Sequence, residues 1–209
     1  MIVSIVMSPT EKVMMFIDGS NIFWASKRRG HKINYIKLRD LLVGSNRRLV
    51  RAYYYCAIGV PPTKDQIRFH DKLKFSNLTV VTKPLKKRES KARLLAMYDK
   101  TTKQWNNMNN ELIIAEKFEE KGVDVALVTD MISMGYKNAY DTAILVGGDE
   151  DFLSAINDIK MIPKRVEIAA YGDTDTQIPP RWISTISRKM IMTADYFYAL
   201  EKLVNQIKM

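Results

Sequence analysis

The chain has 209 residues, 46% of them hydrophobic, and a formal net charge of +10. This length is enough for one α/β domain with a substantial core, and we expect residues 1–209 to form a single domain. The positive charge favours a polyanionic partner, with nucleic acid as the first candidate and general solubility as the alternative. The single cysteine, Cys56, excludes a disulfide within the chain and indicates a cytoplasmic protein.

The histidines argue against a zinc protein, and the N-terminal stretch argues against a secreted or membrane protein. His31 and His70 are far apart in the sequence, and without a histidine or cysteine cluster a zinc site is not expected. Residues 1–10 include a short apolar stretch without a basic flank, which is too short for a signal peptide or a membrane span. We therefore expect no membrane partner.

Short apolar runs with the length and composition of strands recur along the chain. In order they span residues 12–17, 49–57, 78–82, 143–146 and 165–170, and most are continuous, which is typical of parallel strands covered on both faces. Apolar residues at helical spacing predict helices over residues 34–43, 63–75, 123–134, 150–159 and about 194–207. This alternation predicts an α/β fold with a mostly parallel sheet. Asp195 is expected to cap the last helix.

A basic segment at about residues 83–110 interrupts the alternation. We expect an insertion in the single domain, in the form of a protruding hairpin or a short helix. Within it, Tyr98 and Trp105 either stack on unpaired bases or pack the insertion against the domain. Its basic side chains are candidates for contacts with a nucleic-acid backbone: Lys86, Lys87, Arg88, Lys91 and Arg93.

Acidic residues follow two of the predicted strands. Asp18 ends the run at residues 12–17 in an Asp-Gly turn, and Asp149 and Asp151 follow the run at residues 143–146. In open α/β sheets this carboxyl edge is where ligands bind, and clustered carboxylates repel one another unless a cation lies between them. Each acid also has a structural explanation, since Asp18 forms a turn, Asp149 can cap a helix and Asp151 suits a helix dipole.

A third acidic position lies at the start of a predicted helix and does not follow a strand. Asp124 follows Gly122 and lies in the first turn of a predicted helix, where an acid is also favourable for the helix dipole. Asp130, six residues later, does not share a helix face with Asp124, so we expect it to be solvated. Asp141, at the opposite end of its strand, is expected to be remote from the other acids. Asp173 and Asp175 are expected in a turn-rich loop, with a role as outer acids as the alternative.

Four segments in this order resemble the NYN domain family, whose LabA-like members belong to the PIN-like nuclease superfamily. The segments are Phe-Ile-Asp-Gly-Ser-Asn, Lys-Gly-Val-Asp, Val-Gly-Gly-Asp-Glu-Asp-Phe and Ala-Asp-Tyr-Phe-Tyr-Ala-Leu, and they lie between residues 13 and 200. The resemblance implies a three-layer α/β/α sandwich of the PIN-like type. It also implies a ribonuclease that hydrolyses RNA phosphodiester bonds with Mg²⁺ or Mn²⁺.

The resemblance also implies roles for individual residues. The metal-binding, catalytic acids would be Asp18, Asp124, Asp149 and Asp151, and Asn21 would orient Asp18. Gly147 departs from the family pattern, because relatives often have a serine there. PIN-like domains often pair, so the resemblance leaves a homodimer open.

Two other functions compete with the ribonuclease. A non-catalytic RNA-binding or regulatory protein would keep the fold, but it has no reason to keep mutually repelling carboxylates. A phosphatase of the haloacid-dehalogenase type is disfavoured, because that chemistry needs an acid two residues after the first aspartate and this chain has Ser20 there.

Overall fold

The computed structural model describes residues 10–99, 101–172 and 186–209, and for residues 88–99 and 105–117 it describes the backbone alone. The expectations for Asp173 and Asp175 lie outside the described residues. The strands in chain order are β1 (Lys12–Asp18), β2 (Arg48–Ile58), β3 (Leu78–Pro84), β4 (Lys86–Asp99), β5 (Gln104–Glu119), β6 (Thr142–Val146), β7 (Arg165–Ala170) and β8 (Tyr196–Ala199). The helices are α1 (Gly19–Arg28), α2 (Tyr35–Val43), α3 (Lys64–Phe75), α4 (Val123–Tyr136), α5 (Leu153–Lys160), α6 (Arg188–Thr193) and α7 (Leu200–Ile207), with a 3₁₀ turn at Glu150–Phe152 before α5.

Six strands form a central parallel sheet. Their order is β3-β2-β1-β6-β7-β8, and every neighbouring pair in it runs parallel. The predicted strands are confirmed, with ends that differ by at most two residues. Because β1 and β6 lie in the middle of the sheet, their C-terminal ends meet at the centre of its carboxyl edge.

The alternating side chains of β1 divide the core into two parts. Val13, Met15 and Ile17 pack into one cluster with residues of α1, α2, α3 and α7, and Cys56 belongs to this cluster as a small buried residue. Met14 and Phe16 point to the other face and pack with residues of α4, α5 and α6. The sheet is thus covered on both faces, which confirms the three-layer α/β/α sandwich.

The C-terminal helix begins later than the sequence predicts. Residues 196–199 form β8 instead, paired with Glu167 to Ala170 of β7. The aromatic run Tyr196-Phe197-Tyr198 fits a helical period, but an open sheet edge and high β-propensity decide in favour of the strand. The prediction that Asp195 caps this helix is wrong, because its carboxylate accepts a hydrogen bond from the Val166 N–H at 2.7 Å and lies 3.0 Å from the Lys160 Nζ.

The basic segment forms a hairpin, which is one of the two forms the sequence allows. β4 and β5 pair antiparallel from Lys86 opposite Glu119 to Asp99 opposite Gln104. The hairpin leaves the sheet at the C-terminal end of β3 and returns just before α4. Its root therefore lies at the carboxyl edge, on the same side as the ends of β1 and β6. Among the described residues, no helix is long and apolar enough to cross a membrane.

A buried ion pair joins Arg47, just before β2, to Glu167 of β7. The Arg47 Nη1 lies 2.8 Å from the Glu167 Oε1, and the Tyr198 hydroxyl donates a hydrogen bond to Glu167 Oε2 at 3.1 Å. Arg47 also donates to the carbonyl oxygens of Leu42 and Val43. Since only 4% of Glu167 is exposed, the loss of its charge would leave the guanidinium without its main counterion.

We expect Glu167→Gln to lower the free energy of unfolding by about 3 kcal/mol, because it removes one partner of a buried ion pair. Asp65→Asn is the matched control, since Asp65 makes an exposed pair with Arg68 at 3.8 Å and should change the value by less than about 0.5 kcal/mol. Urea unfolding followed by circular dichroism measures both. If both substitutions lowered the free energy of unfolding equally, the buried ion pair would not contribute more to stability than the exposed one.

Candidate active site

Carboxylates from several elements face one cleft of about 500 Å³ at the carboxyl edge of the sheet. Asp18 ends β1, Asp149 follows β6, and Asp124 lies in the first turn of α4. The structure therefore brings together three of the four acids named from the sequence. The other residues that line the cleft are Ser20, Asn21, Trp24, Arg28, Leu85, Phe118 and Glu120.

Asp18 is the buried acid of the group, with 4% of its surface exposed. It is the N-cap of α1, and its Oδ1 accepts a hydrogen bond from the Asn21 N–H at 3.0 Å. Burial raises the pKa of Asp18 to about 7; the Asn21 hydrogen bond opposes this change, and the charges of Asp124, Glu120 and Asp149 add to it. The turn-forming role expected of Asp18 and its place in an acidic cluster thus coexist.

The glycine turn after β6 lies against Asp18. A Cβ atom on Gly147 would be 3.1 Å from the Asp18 Cβ and 3.8 Å from its Oδ2, so this position has little room for a side chain. The Asn21 side chain accepts a hydrogen bond from the Gly148 N–H at 3.3 Å, while its own backbone N–H contacts Asp18. Asn21 thereby connects the two acidic strand ends through different atoms.

Asp149 and Asp151 lie on one short turn. The Asp149 Oδ1 accepts a hydrogen bond from the Asp151 N–H at 3.0 Å, so Asp149 also caps the 3₁₀ turn. Asp151 is exposed and lies outside the lining of the cleft, although its charge acts on Asp124. Partial burial raises the pKa of Asp124, and the charges of Asp149, Glu120 and Asp151 raise it further.

Glu120 is an acidic residue of the cleft that the sequence pattern did not single out. Its Oε1 accepts a hydrogen bond from the Ser20 hydroxyl at 2.8 Å, which joins the exit of the hairpin to the first turn of α1. Its charge contributes to the raised pKa of both Asp18 and Asp124. The only signal in the sequence is its spacing of four residues before Asp124.

Other predicted residues lie elsewhere or outside the description. Asp130 is not simply solvated, because its carboxylate accepts a hydrogen bond from the Tyr55 hydroxyl at 2.9 Å. Asp141 contacts the Lys12 N–H at the opposite end of the strands. Lys86 and Lys87 are exposed at the hairpin root. The side chains of the remaining predicted hairpin contacts lie outside the described residues: Arg88, Lys91, Arg93, Tyr98 and Trp105.

The oxygen donors of the cleft suit a hard divalent cation. A cation would relieve the repulsion that contributes to the raised pKa of Asp18 and Asp124. Within the part of the chain that the structure describes, no three acidic, histidine or cysteine side chains are close enough to hold an ion by themselves. Mg²⁺ usually keeps several waters and takes only one or two carboxylates directly, so this donor set fits it in chemistry and charge.

Comparison with known proteins identifies the family. The sequence model described as "NYN domain" matches residues 12–201. The chain belongs to the NYN domain family. The NYN domain belongs to a nuclease superfamily.

Two proteins illustrate what the NYN chain is similar to. It is 30% identical over 151 residues to the low amplitude and bright protein LabA of Synechococcus elongatus, and the match covers 69% of this chain and 66% of LabA. The chain thus matches slightly less than two thirds of that relative's length. A Vibrio parahaemolyticus protein of unknown function has a crystal structure with a TM-score of 0.64 and 19% identity, covering 97% of this chain and 100% of that one. At this identity the likeness shows the fold alone.

The raised pKa of Asp18 in this NYN domain predicts a pH-dependent stability. In the unfolded chain the carboxyl has its usual pKa of 3.8, whereas in the folded protein the pKa is about 7. Between these values the folded state binds more protons, so the free energy of unfolding falls as pH rises and levels off above about 7. In EDTA, the free energy of unfolding should fall between about pH 5 and 8 by about 2 to 3 kcal/mol more in wild type than in Asp18→Asn.

Asn is a sound replacement here because it is also a good N-cap and resembles the neutral acid. Urea unfolding at several pH values measures the difference, with Asp65→Asn as the exposed control. If the free energy of unfolding changed with pH in the same way in wild type and Asp18→Asn, the raised pKa of Asp18 would be contradicted.

Proposed function

We propose that this NYN protein is a ribonuclease that hydrolyses RNA phosphodiester bonds with Mg²⁺ or Mn²⁺. The observation that carries the proposal is the meeting of Asp18, Asp124 and Asp149 in one cleft, where their charges act on one another. The RNA partner, the cytoplasmic location and a homodimer stay predictions from the sequence and its family.

The proposed chemistry assigns a task to each acid. Asp18, Asp124 and Asp149 would hold the cation, directly or through water, and Asp151 at the rim would orient the attacking water or hold a second ion. A bound divalent ion lowers the pKa of water and stabilises charge on the phosphate and the leaving oxygen. Asn21 keeps the two strand ends in register through its contacts with Asp18 and Gly148.

Glu120 is a further functional residue of the proposed site. Its hydrogen bond from Ser20 holds the carboxylate at the cleft, and its charge acts on Asp18 and Asp124. We assign it a positioning role, because its hydrogen bond joins the hairpin exit to α1 and its charge acts on two of the acids.

The second candidate is a non-catalytic RNA-binding or regulatory protein. The observation that favours it is that the described acids do not form a closed group of three metal ligands. Against it, a carboxylate buried beside like charges destabilises the fold, and a protein without metal chemistry gains nothing from keeping it.

Cleavage of RNA by purified protein tests the proposal. We expect cleavage with Mg²⁺ or Mn²⁺ and none with EDTA. The rate should be about 100-fold lower in Asp149→Asn, because the variant loses a carboxylate that would hold the cation. Glu120→Gln should lower the rate by about tenfold, as for residues that orient metal ligands.

Asp65→Asn serves as the control and should cleave like wild type. Equal cleavage by Asp149→Asn and wild type would point to a contaminating nuclease and contradict the proposal. RNA binding without cleavage under every metal condition would favour the second candidate.

The exposed lysines at the hairpin root provide a separate prediction. We expect Lys86→Glu combined with Lys87→Glu to weaken RNA binding and to reduce the slope of log K against log salt by about 1.4, since each phosphate contact contributes about 0.7 for a single strand. Lys72→Glu combined with Lys74→Glu is the control with the same change in charge, because these residues lie in the last turn of α3, away from the carboxyl edge. Fluorescence anisotropy over a salt series measures both. Identical slopes in the two double variants would remove the hairpin root from the RNA-binding surface.

A further inference from the structure

The walls of the acidic cleft carry two aromatic rings. On one side α1 presents Ser20, Trp24 and Arg28, which are four residues apart and therefore lie on one helix face. On the other side the hairpin root contributes Leu85 and Phe118. The cleft thus has an acidic base and two walls that come from different parts of the chain.

The two aromatic rings of these walls remain largely outside the core. Trp24 is 49% exposed and Phe118 is 60% exposed. The Phe23 ring packs edge-on against Trp24 at 5.3 Å between centroids, which supports the Trp24 ring from within the same helix. Because both rings line the same cleft, a ligand bound there can cover their exposed faces.

The charges beside these rings indicate the chemistry of that ligand. The Lys27 Nζ lies 4.9 Å from the centroid of the Trp24 ring, and Arg28 lines the same cleft. Across the cleft, Lys87 is the cross-strand partner of Phe118 in the hairpin. Each wall of the cleft thus combines an aromatic ring with a neighbouring basic residue. This combination suits a molecule with flat aromatic groups and negative charges, which is the composition of a nucleotide strand.

We propose that Trp24 and Phe118 form a base-stacking subsite that holds an unpaired nucleotide of the RNA next to the acidic cleft. In a duplex the faces of the bases are covered by their neighbours, so stacking on protein rings selects a single strand. The subsite deepens the proposed ribonuclease function and rests on it for the identity of the strand as RNA. It also gives the hairpin a direct place in recognition, because its root provides one of the two rings.

Binding of a fluorescent single-stranded RNA and of its matched duplex, both in EDTA, tests the subsite without any cleavage. We expect Trp24→Ala and Phe118→Ala each to weaken single-strand binding by about tenfold and Trp24→Phe by about threefold, since base stacking on a ring depends on its area. Duplex binding should change by less than about twofold, because a duplex is held mainly through its backbone. Phe75→Ala is the control, since Phe75 is 89% exposed at the end of α3, away from the carboxyl edge.

Single-strand affinities within about twofold of wild type in both alanine variants would overturn the subsite. Equal losses for the single strand and the duplex would overturn it as well, because the rings would then act only through general structure. If the alanine variants lose single-strand binding while wild type cleaves no RNA with any metal, the subsite stands and the ribonuclease proposal fails.

Discussion

The parallel pairing of β1 with β6 is the constraint on which the candidate site depends. The register places Ile17 beside Val146, so both strands reach the carboxyl edge together and Asp18 meets the glycine turn at Gly147. A Cβ atom on residue 147 would lie only 3.1 Å from the Asp18 Cβ, so the backbone of this turn packs closely against Asp18. A shift in this register would separate Asp18 from Asp149 and open the cleft, because each acid follows directly from the end of its own strand.

The close approach concentrates negative charge where little water can screen it. Asp18 is buried, and its neighbours Asp124, Glu120 and Asp149 come from α4, the hairpin exit and the turn after β6. Hydrogen bonds partly compensate, since Asn21 donates to Asp18 and Ser20 donates to Glu120. Natural proteins keep such unfavourable arrangements mainly at functional sites, and the surrounding two-sided core provides the stability that this one requires.

Much of this arrangement could be predicted from the sequence because the acids follow element boundaries. Asp18 and Asp149 end continuous apolar runs, and Asp124 follows a glycine, so parallel pairing alone suffices to gather them. Glu120 could not be found in this way, since its position depends on where the hairpin returns to the domain. The bounds of helix α1 could not be predicted, because Gly-Ser-Asn is a poor helix-forming start. The Asp18 cap and the core contacts of Ile22 and Ala25 stabilise this helix. At residues 196–199 the helical period was misleading, because the open edge of β7 favours a strand.

The hairpin enters and leaves the domain on the same edge of the sheet, between the end of β3 and the start of α4. Its root, through Leu85, Phe118 and Glu120, lies in the cleft. Its outer length can therefore change without altering the register of the parallel strands or the acids at their ends. Under the proposed function, the hairpin could change its contacts with RNA while the acids keep their places, because the hairpin and the parallel strands form separate sheets.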